Sequence, residues 1–452
     1  MTAAPKKKLI EVSLPLEAIN AASSREKSIR HGHPSTMHLW WSRKPLATAR
    51  AVLFAQLVDD PSAHPEEFPT LEAQESERQR LHRLIVRLIS WGNSTNEILL
   101  AEARDEIRKS NGGMLPNFLD PFAGGGSIPL EAQRLGLASH ASDLNPVAVI
   151  LEKALVEFPP KFSGRAPVHP AATRRVSSWV RAEGLAEDIR RYGNWLRDEA
   201  FSRIGNLYPE VIVPGGTSHT VVAWKWARTV QSPNPANPIE TPITSSWWLS
   251  KARGRGAYVV PHVSDGRVSY EVIQGNDGPG KEDDGTRVGR GARSIADGTP
   301  ISSDYIKAEG VAGRMGSHLI AIVAEGSRGR IYVSPSAEHA DAANVSAPSD
   351  IPEEDLPFDP RNVWTPSYGL TKFADLFTNR QLIALTTFGE LVDEARARVY
   401  TDAIASGMAD GTSLESGGTG AQAYADAVAT YLALAVSRCT DYNSSLTPTC
   451  QG

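Results

Sequence analysis

A chain of 452 residues, 41% hydrophobic and 22% charged, has material for two or three domains with buried cores, and its composition excludes a fibre or a disordered tail. The net charge of −5 supplies no global positive field, so contact with nucleic acid requires local basic patches. Two cysteines, Cys439 and Cys450, are too few for a disulfide framework or a cysteine zinc site. The N-terminus lacks a signal-type apolar segment, and no run approaches the ~18 apolar residues of a spanning helix. A cytoplasmic setting with no membrane partner is expected.

Residues 8–22 predict a strand or short helix, followed by a polar turn over 23–27. His31, His33, His38, Trp40, Trp41, Arg43, Lys44 and Pro45 then form the densest local cluster. No carboxylate or thiol shares it at ligand spacing, so hydrogen-bonded histidines in a polar loop are favoured over metal, and the tryptophans are expected to pack in a core or at its rim. Apolar residues at helical spacing predict a helix over 46–57. Residues 61–76 read as a surface loop, and 77–110 as two amphipathic helices joined near Gly92-Asn93.

Residues 117–143, NFLDPFAGGGSIPLEAQRLGLASHASD, read as strand, glycine turn, helix and second strand. The apolar run 117–122 predicts a buried parallel strand, broken by Gly124, Gly125 and Gly126. Ser127 is the expected N-cap, Pro129 falls in the first turn, and Gly136 closes the helix. Glycines let a ligand approach the backbone, and the helix N-terminus offers N–H groups. Asp143 stands 19 residues beyond Gly124, the separation at which an acidic residue takes ribose hydroxyls in nucleotide-type α/β folds. The Lys-Ser/Thr pair of a phosphate-binding loop is missing.

A helix is predicted from 145, ending before Phe158-Pro159-Pro160. A basic connector follows over 161–170, then a helix or helix pair over 173–203 with Trp179 and Trp195 packed. From Val211 short runs alternate with turns as strands do. This β-rich region carries Arg253, Arg255, Arg287, Arg290 and Arg293 among glycines, a pattern equally suited to a phosphate backbone and to keeping loops soluble. Residues 318–334 read as strand, turn and strand, 336–362 as an acidic linker, and 371–400 and 421–438 as amphipathic helices.

DPFAGGG at 120–126 resembles motif I of the S-adenosylmethionine-dependent amino methyltransferases of DNA, with SDLNP at 142–146 in the ribose position. Segments 38–61, 128–162, 308–326, 368–392 and 417–438 together resemble the DUF1156 family of adenine-specific DNA methyltransferases, a similarity covering essentially the whole chain. The resemblance implies an α/β fold of the Rossmann-like S-adenosylmethionine-dependent methyltransferase type, incomplete, with an inserted β-rich module and C-terminal helices. It divides the chain into an N-terminal segment with a motif X-like element (1–60), helices and a cofactor-binding core (61–210), an inserted module (211–335), a linker (336–362) and a helical region (363–452). It implies S-adenosyl-L-methionine as cofactor, held by Asp120, Pro121, Phe122, Gly124, Gly125, Gly126, Asp143 and Leu144, with His38, Lys44 and Pro45 as the motif X-like element.

Two departures qualify the resemblance. The Asp/Asn/Ser-Pro-Pro-Tyr/Phe/Trp loop that receives the target base is not in the sequence, whose only Pro-Pro is Pro159-Pro160. The chain therefore reads as an N-terminal portion whose catalytic loop belongs to a second polypeptide or a missing C-terminal half, and alone it is expected to methylate DNA weakly or not at all. SPNPAN at 232–237 stands where some relatives carry the cysteines of a zinc ribbon, so the module reads as degenerate and metal-free. Two other functions stay open: a non-catalytic DNA-binding or assembly subunit of a restriction or phage-defence system, and a nicotinamide-dependent oxidoreductase.

Overall fold

The stretch read as a helix at 46–57 forms one over those residues and is the centre of the first of two units. The computed structural model describes residues 6–172, 178–213, 216–279, 285–327, 329–359 and 361–446. Cys450 and the 173–177 part of a predicted helix fall outside them. Met1–Trp195 with Val392–Arg438 make the first unit, and Leu196–Leu391 with Cys439–Gly452 the second.

In the first unit, α1 (Leu9–Val12) and α2 (Leu16–Glu26) lead to α3 (Leu46–Leu57). Ala47, Ala51, Phe54 and Ala55 of α3 are buried against α4 (Leu71–Leu88) and α5 (Glu97–Ser110), which contribute Leu84, Ile85, Leu88, Leu100 and Ile107 to the same core. Helix α4 starts at Leu71, inside the predicted loop, because the Thr70 hydroxyl accepts the Ala73 N–H at 3.1 Å and caps it. The polar exception on α3 is buried Arg50. Its Nε donates to Oε2 of buried Glu131 at 2.5 Å, and Glu131 also accepts from Arg134.

Strand β1 (Asn117–Asp120), helix α6 (Ser127–Arg134) and strand β2 (Ala138–Ala141) form a parallel βαβ unit, with Asn117 opposite Ala138 and Asp120 opposite Ala141. Among the described residues this sheet holds these two strands only. The buried strand expected at 117–122 is therefore corrected: with no layer covering its outer face, Leu119 is 69% exposed. The chain is a mixed α/β protein with several small sheets.

Helix α7 (Pro146–Glu152) runs on through one wide turn (Lys153–Glu157) into α8 (Phe158–Lys161), past the predicted stop. Pro159 and Pro160 fall in the first turn of α8, where an N–H is not needed. Helix α9 (Glu183–Ile204) follows, and the guanidinium of Arg398 covers the Trp195 ring at 4.6 Å.

The second unit is antiparallel. Strands β3 (Val211–Ile212) and β4 (Ser218–His219) pair with each other. A four-stranded sheet has the order β14-β13-β5-β6, from β5 (Val221–Gln231), β6 (Glu240–Pro242), β13 (Gly316–Gly326) and β14 (Gly329–Val333). Two three-stranded sheets come from β7 (Trp248–Ser250), β8 (Ala257–Ser264) and β9 (Arg267–Gln274), and from β10 (Arg287–Val288), β11 (Gly291–Arg293) and β12 (Pro300–Ile301). Helix α10 (Ser303–Val311) precedes β13, and α11 (Ala337–Asp341) interrupts the predicted linker. Helix α12 (Asn379–Ala405) passes into the first unit at Val392, where α13 (Ala421–Thr440) follows. The Tyr424 hydroxyl of α13 donates to fully buried Asp188 at 2.7 Å. Among the described residues no helix is long and apolar enough to cross a membrane.

Candidate ligand site at the glycine loop

The glycine loop is closed by its own backbone and one carboxylate. Beyond β1 the pairing with β2 continues as the Ser142 N–H reaches the Asp120 carbonyl at 3.0 Å and the Ala123 N–H reaches the Ser142 carbonyl at 3.1 Å. Asp143 Oδ2 accepts the Gly124 N–H and Oδ1 the Asn145 N–H, both at 2.9 Å. These N–H groups, Asn145 first and then Gly124, hold the Asp143 carboxyl below its ordinary range. Gly126, at φ +72°, is the N-cap of α6. This corrects the expectation for Ser127, which is the first helical residue and whose buried hydroxyl has no hydrogen-bond partner.

What approaches the glycines closely is Trp40. A Cβ on Gly124, whose φ is +53°, would lie 2.9 Å from the Trp40 indole Nε1, and one on Gly125 would lie 2.9 Å from Trp40 Cδ1 and 3.1 Å from Arg43 Cζ. Packing of a tryptophan thus accounts for the small residues at 124 and 125, where the sequence suggested a ligand. Arg43 Nη1 donates to the Gly125 carbonyl at 2.7 Å, while its Nε and Nη2 are buried without partners. Burial pushes its guanidinium pKa down. Trp41, expected to pack, is 83% exposed.

Three carboxylates act on one another at the loop. Asp120 Oδ1 accepts the Phe122 N–H at 3.1 Å, and its Oδ2 is buried without a partner. Glu152, at the end of α7, is 6% exposed, and its Oε1 is likewise unpartnered. Its Cγ lies 3.6 Å from where a Cβ on Gly126 would stand. Burial first, then the charges of Asp143 and Asp120, push the Glu152 carboxyl up to about 7. Among the described residues no His, Cys, Asp and Glu group is arranged to hold a metal ion. Unpaired buried carboxylate oxygens suit an organic cation with hydrogen-bond donors.

The remaining sequence candidates are placed unevenly. Pro121 is exposed, Phe122 is 82% exposed and Leu144 98%, so each presents its side chain to solvent. His38 uses Nδ1 toward the Leu39 carbonyl at 2.9 Å and Nε2 toward the Ser437 hydroxyl of α13 at 3.0 Å. Lys44 is exposed, and Pro45 is the N-cap of α3. The first two N–H groups of α3, on Leu46 and Ala47, go to buried Glu26 at 2.8 and 2.6 Å. Burial raises the Glu26 carboxyl, but His33, 3.6 Å away, and the hydrogen bonds from the Ala47 and Leu46 N–H groups outweigh it and hold the carboxyl low. The five arginines are exposed on separate sheets: Arg253 and Arg255 follow β7, whereas Arg287, Arg290 and Arg293 lie on the β10–β11 hairpin.

Sequence reasoning missed Glu26, Glu152 and the role of Trp40. For Glu152 a signal existed, a lone acid ending the apolar run of 146–151. For Glu26 none did, because its partners lie 20 and 21 residues away. No curated protein and no solved structure matches the chain. Residues 13–84, from the start of α2 through most of α4 and short of the glycine loop, match the family model described as "Protein of unknown function (DUF1156)", which places this N-terminal region in the DUF1156 family.

Proposed function

We propose that the glycine loop binds S-adenosyl-L-methionine and that the chain is the cofactor-binding part of an adenine-N6 DNA methyltransferase. The observation that carries this reading is the return of Asp143 from the second parallel strand onto the Gly124 N–H, beside Asp120 and Glu152 with their unpartnered oxygens. A sulfonium and an ammonium are the charges such a trio complements. Packing of Trp40 and Arg43, which lie between the motif X-like residues His38 and Lys44, on the same loop supports the reading. DNA is the proposed substrate, and the acceptor loop is proposed to come from residues outside this sequence, on the same or on a second polypeptide, since the only Pro-Pro of the sequence sits in α8 between Phe158 and Lys161. Exposure of Leu119, Phe122 and Leu144 around the loop favours the docking of that acceptor part here.

Calorimetric titration of the full chain with S-adenosylmethionine and with NAD tests the cofactor, and transfer of a labelled methyl group to DNA tests the activity. Binding of S-adenosylmethionine, weakened by Asp143→Ala, with little methylation by the chain alone, is the expected result. Selective binding of NAD, or of neither, overturns the cofactor assignment, and robust methylation by the purified chain overturns the need for an added acceptor loop.

A further inference from the structure

The second unit contains a cavity of about 370 Å³ that owes nothing to the glycine loop. It lies where β5 is paired on one side only. Strand β13 pairs with β5 from Thr229 back to Val221, whereas β6 reaches only Thr229, Val230 and Gln231. Neighbouring strand residues point to opposite faces, yet Trp224 and Lys225 both line the cavity, which therefore wraps this open edge.

The lining has one sign of charge. Lys225, Arg330 and Arg380 contribute to it, and no carboxylate does. Arg380 is 6% exposed, and its guanidinium covers the Trp224 ring at 4.5 Å and the Tyr208 ring at 4.9 Å. Its Nη1 donates to the Leu207 carbonyl at 3.0 Å. Among the described residues no carboxylate pairs with Arg380 or with half-buried Lys225, and burial pushes both pKa values down. With its faces against aromatic rings, a guanidinium keeps its in-plane N–H donors for an oxyanion, which it grips bidentately. Cations held out of water without a counter-charge are costly until an anion arrives. Trp226 and Tyr332 add aromatic rings to the lining on opposite faces of the sheet, Tyr332 on the face of Lys225. The volume is at the small end of ligand pockets, ~300–1,000 Å³, and suits one planar ring with its oxyanion group.

We propose that this cavity is a nucleotide site, receiving a base against Tyr332 and a phosphate between Lys225, on the same face of the sheet, and Arg380 across the open edge of β5. The nucleotide is either free or one unit of a single-stranded nucleic acid, since both offer the same ring and phosphate. The site stands on the second unit alone and needs no cofactor at the glycine loop.

The test is binding to the full chain without S-adenosylmethionine, followed by tryptophan fluorescence and calorimetry, using deoxyadenosine monophosphate, a mixed-sequence single-stranded 12-mer, and inorganic phosphate. The mononucleotide or the 12-mer is expected to bind more tightly than phosphate. Lys225→Gln should weaken that binding about tenfold, the loss of one charge-assisted hydrogen bond. Tyr332→Ala should weaken the nucleotide without changing the response to phosphate. Salt-sensitive binding of the 12-mer that displaces the mononucleotide assigns the site to nucleic acid, and binding of the mononucleotide alone assigns it to a free nucleotide. Arg380→Gln should have the largest effect, and if it fails to fold, the two milder variants decide. Absence of binding by both nucleotide probes, binding no tighter than phosphate, or undiminished binding in Lys225→Gln overturns the proposal.

Discussion

Replacing Glu152 by glutamine tests the electrostatics of the glycine loop most directly. The wild-type carboxyl is buried beside Asp143 and Asp120 and is raised from the ordinary 4.5 to about 7. A carboxyl raised on folding holds its proton longer in the native state than in the unfolded chain. Its contribution to stability is therefore intact below pH 4.5 and is lost as pH rises through about 7. Across that window the loss accrues at ~1.4 kcal/mol per pH unit and totals ~3 kcal/mol as an upper bound, because water screens part of the repulsion from the two aspartates. Glu152→Gln is neutral throughout, so its stability relative to wild type should climb between pH 5 and pH 8 and then level off. Denaturant melts of the full chain at a series of pH values measure this difference, and any constant offset from repacking the amide cancels. Parallel pH profiles for variant and wild type would refute the reasoning. A cationic ligand reverses the sign locally by favouring the carboxylate. Calorimetry of S-adenosylmethionine binding at pH 6.5 in two buffers should therefore show proton release in wild type and none in Glu152→Gln.

Gly125→Ala places a Cβ 2.9 Å from Trp40 Cδ1 and should cost ~1–3 kcal/mol by overpacking. In a Trp40→Ala background the same change should cost much less, and a double-mutant cycle in denaturant reads the coupling. Glu131→Gln leaves buried Arg50 without its charge partner and should cost ~3–5 kcal/mol, seen as a lower unfolding midpoint, whereas joint replacement of Arg50 and Glu131 by methionine and leucine should recover much of the loss. Tyr424→Phe removes one of the hydrogen bonds to buried Asp188, which keeps the N–H groups of Val168 and His169, and a loss of ~1–2 kcal/mol is expected in the same melts.

Patterns written in neighbouring residues were legible in the sequence. The apolar spacing of 46–57 gives α3 with the expected bounds and residues 318–334 give strand, turn and strand as β13 and β14, whereas the 19-residue step from Gly124 to Asp143, read as a ribose contact, joins Asp143 to the N–H of the loop itself. What escaped depends on partners distant in the chain. Whether β1 is buried is decided by whether another layer covers it, and its own four residues carry no trace of that. Glu26 reads as one residue of a polar turn until the N-terminus of α3 is brought against it. The Pro159-Pro160 pair reads as a stop, and becomes the permitted opening of α8 only because the preceding wide turn supplies a new helix start.

Trp40 changes how the glycine motif is to be read. Glycine at 124 and 125 is expected wherever a ligand touches the backbone, but in this chain the ring of Trp40 alone is reason enough. A ligand is therefore indicated less by the glycines than by the groups that packing does not explain: the unpartnered oxygens of Asp120, Ser127 and Glu152. A buried hydroxyl and two buried carboxylate oxygens without donors are costly in a finished core and inexpensive in a site that a cation and its hydrogen-bond donors complete. Asp143 stands outside this group, because its two oxygens already close the loop. Its removal should unfasten the turn whether or not a ligand is present, whereas loss of the Glu152 charge should be felt by a cationic ligand while the turn stays closed. Comparing Asp143→Ala with Glu152→Gln for both stability and cofactor affinity consequently separates the residue that shapes the cradle from the residue that reads the charge within it.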